Sequence, residues 1–292
     1  MTQFKFEAIG TAWKIDLYRQ LDQTEEISIF SAIKNRIELF DKAYSRFRAD
    51  SLVTKMSKQT GDFILPDDAE PMMSLYHDLY VRTGGLVTPL VGNLISDAGY
   101  DAQYSLQQKK ELRVSPAWDD VLDYKHPTLS ILKPVLLDFG AAGKGYLIDC
   151  VGQVLETAGV TEYCIDAGGD ILHKNIVPNS APVRVGLENP DNISQVIGVY
   201  TLGNGSICGS AGNRRAWGDF THIINPKTLV SPRDILATWV IADTALLADA
   251  LATCLFFVST DALAGTYDFE YVLVRSDHSI EKSTNFSGEI FT

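Results

Sequence analysis

Ala242-Asp243-Thr244-Ala245-Leu246-Leu247-Ala248-Asp249-Ala250-Leu251-Ala252-Thr253-Cys254-Leu255 is the stretch around which the rest of this chain is arranged. Alanine and leucine are the best helix formers, and Asp243 and Thr244 suit the amino-terminal cap and first turn. Almost every other residue is apolar, which predicts a helix deep in the core rather than on the surface. Asp249 and Thr253 break the pattern, and being four apart they share one face. An ionised carboxylate is costly to bury alone, so a metal cation or a basic side chain is expected beside Asp249. The helix by itself leaves a second reading open, in which Asp249 sits at the edge of the buried face and reaches water or an arginine.

The chain has 292 residues, compatible with one large domain or two intimately joined halves. At 46% hydrophobic and 21% charged it reads as a soluble globular protein with a substantial core. The formal charge of −12, without a cluster of Lys and Arg, argues against nucleic acid as a partner. A phosphorylated ligand would have to be held locally, by a cation, a helix amino terminus or a few chosen basic groups. Cys150, Cys164, Cys208 and Cys254 are widely spaced, which argues against structural zinc and a disulfide framework. Met1 to Lys5 opens into an alternating pattern rather than a signal core, and no run of about eighteen apolar residues is present to span a membrane. The expectation is a soluble, cytoplasmic chain, although an exported form with its signal removed would read the same.

Apolar residues alternate through Phe4, Phe6 and Ala8 and again through Trp13, Ile15 and Leu17, which predicts two strands around Ile9-Gly10-Thr11. From Asp22 the period changes, and Ile27, Phe30, Ile33, Ile37 and Phe40 predict an amphipathic helix. Phe47 then lies in a polar segment beside Arg46 and Arg48, where it either stacks on a flat ligand or closes the core under a loop. A second helix is expected from Leu65 to Thr83, stopped at Gly84-Gly85, followed by an apolar loop from Leu86 to Gly92. Residues 100–130 read as a polar, irregular excursion. Val135–Leu137 is expected as a short strand, leading through Asp138-Phe139-Gly140-Ala141-Ala142-Gly143-Lys144-Gly145-Tyr146 into a helix from Leu147 to Ala158. Small residues let a ligand approach the backbone, and a helix amino terminus with Lys144 favours an anion. The spacing is not that of a P-loop. Strands are expected at Tyr163 to Ile171, Val183 to Leu187, Val196 to Leu202, Ile235 to Ile241 and Tyr271 to Val274. No internal repeat is visible, and the irregular mixture of strands and helices favours an α+β fold.

In order, these stretches resemble the ApbE family, the FAD:protein FMN transferases. Ile9-Gly10-Thr11 is similar to its M-G-T, and Ser45-Arg46-Phe47 through Ser51 to its S-x-Y-x-x-x-S. Gly85-Leu86-Val87-Thr88-Pro89 falls at its G-A-F-D-P, and Asp138 to Asp149 resembles D-L-G-G-I-A-K-G-Y-x-x-D. Gly168-Gly169-Asp170-Ile171 matches G-G-[DE]-I, His222 to Thr228 resembles H-I-I-D-P-x-T, and Ala248 to Thr253 is A-D-A-L-A-T in full. The resemblance covers nearly the whole chain.

It implies an α+β fold of two similar β-α-β units forming one catalytic unit over residues 1–292. It implies Mg²⁺-dependent transfer of the FMN half of FAD, the substrate, to a threonine hydroxyl of a target flavoprotein, with AMP released. Asp249, the Thr253 hydroxyl and the Gly143 carbonyl would bind Mg²⁺, and Lys144 would hold the pyrophosphate. His222 would contact it or help remove the hydroxyl's proton. Phe47 would flank a flat ring, with Ile9, Gly85, Leu86, Val87 and Tyr146 shaping the remaining pocket. The chain departs from the family at Thr88 and Asn225, which stand where it has carboxylates, and at Gly209-Ser210-Ala211, where it has T-S-G. Two other activities fit the same residues: a Mg²⁺-dependent FAD pyrophosphatase giving FMN and AMP, and a catalytically weak FAD-binding protein.

Overall fold

The computed structural model describes residues 1–175 and 182–291. The amino-terminal alternation forms the expected strands, β1 (Thr2–Ala8) and β2 (Thr11–Leu17), paired antiparallel. Ile9 and Gly10 between them both have positive φ, 46° and 77°, as a tight type I′ hairpin requires. Helix α1 (Gln23–Tyr44) starts at a capping box between Asp22 and Glu25 and buries Ile29, Ile33, Ile37 and Phe40. Ile27, expected on that face, is 64% exposed. It lies two residues before Ile29, roughly 200° around the helix.

After α2 (Leu52–Met56) and β3 (Gly61–Ile64), helix α3 (Glu70–Arg82) begins later than Leu65, with Pro71 in its first turn, and stops at the positive-φ pair Gly84 and Gly85. The expected apolar loop contains a 3₁₀ turn and then α4 (Gly92–Asp97). The excursion expected to be irregular holds α5 (Trp118–Val121), β4 (Leu122–Lys125) and β5 (Thr128–Ile131), which join β3 in a small sheet ordered β3-β5-β4. Strands of four residues are too short to show a period. The strand expected at Val135–Leu137 does not form; Val135 and Leu137 are buried, but the segment is irregular. Helix α6 (Gly143–Thr157) begins four residues before Leu147, which puts Gly143 and Lys144 in its first turn.

The second half comprises β6 (Tyr163–Ala167), β7 (Asp170–Lys174), β8 (Val183–Asn189), β9 (Asn192–Leu202) and β10 (Gly205–Ala211). Two-residue strands β11 (Ala216–Trp217) and β12 (Phe220–Thr221) precede β13 (Ile235–Ala242), α7 (Ala245–Cys254), β14 (Glu270–Arg275), β15 (Ile280–Lys282) and β16 (Glu289–Ile290). Eight strands form one sheet ordered β1-β2-β6-β7-β10-β13-β14-β15, with every neighbouring pair antiparallel. In the middle of the sheet, side-chain alternation splits a strand between two cores. Along β6, Tyr163, Ile165 and Ala167 join the core under α1, α6 and α7, whereas Cys164 joins a second core with Val185, Leu187 and Tyr200 of β8 and β9. The α+β class is the one expected. Each half of the sheet has its own helix: α6 leads into β6 and β7, and α7 joins β13 to β14. Among the described residues, no helix is long and apolar enough to cross a membrane.

Candidate active site

Helices α6 and α7 meet at their amino-terminal ends, and each caps the other. The Gly145 N–H at the start of α6 donates to the Asp249 carboxylate of α7 at 2.8 Å. In return the Ala245 and Leu246 N–H groups at the start of α7 donate to Asp149 of α6 at 2.9 and 2.8 Å. First-turn N–H groups lack partners within their own helix, so an exchange of carboxylates satisfies both ends. The approach requires glycine at 145, because a Cβ there would run into the Ala245 carbonyl and lie 2.8 Å from the Asp249 Cβ. Burial raises the Asp149 carboxyl to about 6 against the pull of its two N–H donors.

This junction forms one wall of a cavity of about 1060 Å³. Asp249 and Thr253 face it from α7, and Gly143 and Lys144 from the first turn of α6. Asp249 is 4% exposed; burial first, and then the charge of Asp170, hold its carboxyl well above the usual carboxylate range. Asp170 is also buried, accepts the Gly209 N–H at 3.0 Å and is ion-paired with Lys144. Burial works to lower the Lys144 pKa, but Asp170 and Asp249 outweigh it and hold the ammonium at about 12. Two buried carboxylates therefore share one cation, and a further positive charge would relieve Asp249. Its second oxygen accepts no hydrogen bond among the described residues, and the Thr253 hydroxyl lies 3.4 Å from that of Ser210. Among the described residues no three His, Cys, Asp or Glu side chains group to hold a metal. One carboxylate, a hydroxyl and a carbonyl are hard oxygen donors that suit Mg²⁺ when phosphate and water complete its shell. In the first turn of α6 the Gly143 N–H is taken by the Phe139 carbonyl at 2.7 Å and that of Gly145 by Asp249, whereas the Lys144 N–H has no acceptor among the described residues and can serve an anion.

Ile9, Phe47, Leu86, Val87 and His222 line the same cavity. Burial first, then Arg215, lowers the His222 pKa to about 4, so the imidazole is neutral at neutral pH; its Nδ1 has no partner among the described residues. Gly85 and Tyr146 stand outside the lining. Gly85 packs on Tyr80, and the Tyr146 hydroxyl turns away to donate to the Asp68 carbonyl at 2.9 Å. The departures from the family pattern keep a backbone role. Thr88 Oγ1 accepts the Leu90 N–H at 3.2 Å, and Asn225 Oδ1 accepts those of Lys227 and Thr228 at 2.9 and 3.1 Å. Each does without charge what a carboxylate at that position would do.

Three features escaped the sequence reading. In the sequence Asp170 is only one residue of a Gly-Gly turn. Arg46, from the polar segment, is buried, donating to Asp138 at 2.5 Å and to the Tyr100 carbonyl at 2.6 Å. The third is the particular match inside the two similar units that the resemblance implies: Gly145-Tyr146-Leu147-Ile148-Asp149 and Ala245-Leu246-Leu247-Ala248-Asp249 do the same work in the two halves. Aligning Gly145 with Ala245, each four residues before an Asp, exposes it.

A model of the ApbE family matches residues 9–270. A protein of Rhodobacter capsulatus named FAD:protein FMN transferase is 30% identical over 192 residues, covering 61% of this chain and 36% of its own length. The protein of that name from Haemophilus influenzae is 29% identical over 271 residues, covering 84% of this chain and 75% of its own. Among solved structures, the flavin transferase ApbE from Vibrio cholerae superposes with a TM-score of 0.80 at 20% identity, covering 98% of this chain and 97% of that one.

Proposed function

Because this chain belongs to the ApbE family, we propose that it is a transferase acting as one catalytic unit, moving the FMN half of FAD onto a threonine hydroxyl of a target flavoprotein with Mg²⁺. The observation that carries this reading is the meeting in one cavity of the α6 amino terminus, Lys144, His222, the buried Asp249 and, one turn on, Thr253. The hydroxyl oxygen attacks the FMN phosphorus of the pyrophosphate, the bond to the AMP oxygen breaks, and the hydroxyl proton leaves. Such a step asks mainly for positioning and charge neutralisation. Bound by Asp249, the Thr253 hydroxyl and the Gly143 carbonyl, Mg²⁺ would supply neutralisation at the pyrophosphate. The Lys144 ammonium and its free N–H orient the phosphate oxygens, sharing the cation with Asp170. His222, uncharged at neutral pH, is in the state to accept the hydroxyl proton. A weak base suffices, because a loose transition state leaves that proton in place until late. Phe47 offers a face to the flavin ring, with Ile9, Leu86 and Val87 around it. Gly85 and Tyr146 support that wall from behind.

The test incubates the protein with FAD and Mg²⁺, with and without a flavoprotein carrying an acceptor threonine, and follows AMP release and flavin bound covalently to the acceptor. Transfer predicts labelled acceptor, AMP release that depends on the acceptor, and loss of both with EDTA. Rapid AMP release without acceptor would instead make the chain an FAD pyrophosphatase. Binding of FAD with no AMP under either condition would leave it a flavin carrier.

A further inference from the structure

The ring of Phe47 is already engaged twice by the chain's own groups. The Arg46 guanidinium lies over it at 4.2 Å, and Tyr104 stacks on it with ring centres 5.2 Å apart and planes 9° from parallel. A flat ligand ring that stacks on Phe47 must replace one of them. Arg46 is not free to yield, being buried and tied to Asp138 and the Tyr100 carbonyl. Tyr104 is 53% exposed and lines the cavity. It comes from the excursion between α4 and α5, which takes no part in the proposed chemistry.

The backbone there is set to deliver that ring. Tyr104 and Leu106 both have φ of 52°, a left-handed conformation that persists in bulky residues only where neighbouring contacts enforce it. Those contacts are present: the Tyr104 N–H donates to the Asp101 carbonyl at 3.1 Å, the Leu106 N–H to the Gly99 carbonyl at 2.8 Å, and the Asp101 carboxylate accepts the N–H groups of Gln103 and Ser105, each at 3.0 Å. Below the stack, Tyr100 meets both Phe47 and Tyr104 edge-on.

We propose that Tyr104 is a specificity-determining gate for the planar-ring subsite, holding the stacking place on Phe47 while the cavity is empty and yielding it to the ring of the incoming dinucleotide. This rests on the FAD reading above. A three-ring flavin covers more of Phe47 than a phenol does and displaces it, whereas a ligand without such a ring gains nothing from opening the gate. Tyr104 takes no part in bond exchange.

The test measures FAD and ADP binding to the full chain by calorimetry, and FAD association by stopped-flow flavin fluorescence, for the native protein and for Tyr104→Ala, Tyr104→Leu and Tyr104→Phe. Removing the competing stack tightens FAD by about twofold to tenfold, the equivalent of one aromatic pair, and speeds its association. ADP is unchanged in all variants, and Tyr104→Phe behaves as the native chain. Weaker or unchanged FAD binding in both Tyr104→Ala and Tyr104→Leu would overturn the gate while leaving the transferase reading intact. If the native chain bound ADP but not FAD, the flavin reading itself would fail and the gate with it.

Discussion

Replacing Asp149 by alanine removes one side of the exchange between α6 and α7 and leaves the Ala245 and Leu246 N–H groups without acceptors. A buried donor left unsatisfied costs about 1–3 kcal/mol, so the gross loss is about 2–6 kcal/mol. Against this stands the cost of keeping a charge out of water. The carboxyl titrates at about 6 rather than 3.8, and at about 1.4 kcal/mol per unit its ionised form gives back about 3 kcal/mol above that pH. At pH 8 the net effect of Asp149→Ala then runs from a gain of about 1 kcal/mol to a loss of about 3 kcal/mol, the latter a fall in Tm of about 6–12 °C for a chain of this size. The sign of the pH dependence follows from the folded pKa lying above the unfolded one. Between about pH 4 and 6 the folded state binds more protons, so Asp149 stabilises most in acid and loses that contribution as pH rises through 6. Urea unfolding of the native chain and of Asp149→Ala should therefore show a larger difference at pH 5 than at pH 8. A smaller difference at pH 5, or one below about 0.5 kcal/mol at both, would refute the exchange of caps as a source of stability.

At the same junction, Gly145→Ala should cost about 1–3 kcal/mol by overpacking and also lower activity, because the added methyl pushes against Asp249; melting curves and AMP release measure the two effects. Asp249→Asn should abolish transfer while leaving the metal-free protein as stable as the native chain or more so, since burial and Asp170 both disfavour its charge; calorimetry should also show that the Tm rise on adding Mg²⁺ is lost. In the native chain the apparent affinity for Mg²⁺ should fall as pH drops from 8 to 6, because the raised Asp249 carboxyl takes up a proton that the cation must displace. His222→Ala should lower turnover by about 10²–10⁴-fold, whereas the native pH–rate profile should show no limb from this residue between pH 5 and 8, its pKa being about 4.

Much of the site was legible because its parts are contiguous in sequence. The Asp249–Thr253 spacing fixes one helical face, and the small residues before Lys144 mark a helix start whatever the tertiary context. The boundaries were harder to read. Glycines and alanines from Gly140 to Gly145 look like a turn, yet α6 begins within them at Gly143, because the Asp249 carboxylate from the other half of the chain holds its first turn. That partner is remote, as are Asp170 for Lys144 and Asp138 for Arg46. An arginine in a polar segment carries no local sign that it will be buried. The β3-β5-β4 sheet is illegible for a different reason: its strands are four residues each, too short to show an alternation.

The order of strands in the main sheet bears on how the chain survives its own synthesis. Strand β2 pairs on its inner side with β6, about 150 residues further along. At 5–20 residues per second the β1–β2 hairpin must wait roughly 7–30 s for that partner. Meanwhile Phe4, Trp13, Ile15 and Leu17, all buried in the finished fold, have no sheet to join. The next segment to emerge is α1, and its Phe30 stacks on Phe4 and meets Phe6 edge-on. Residues 2–44 thus carry a partial cover for the apolar face of β1, while the β2 edge stays open until β6 is made.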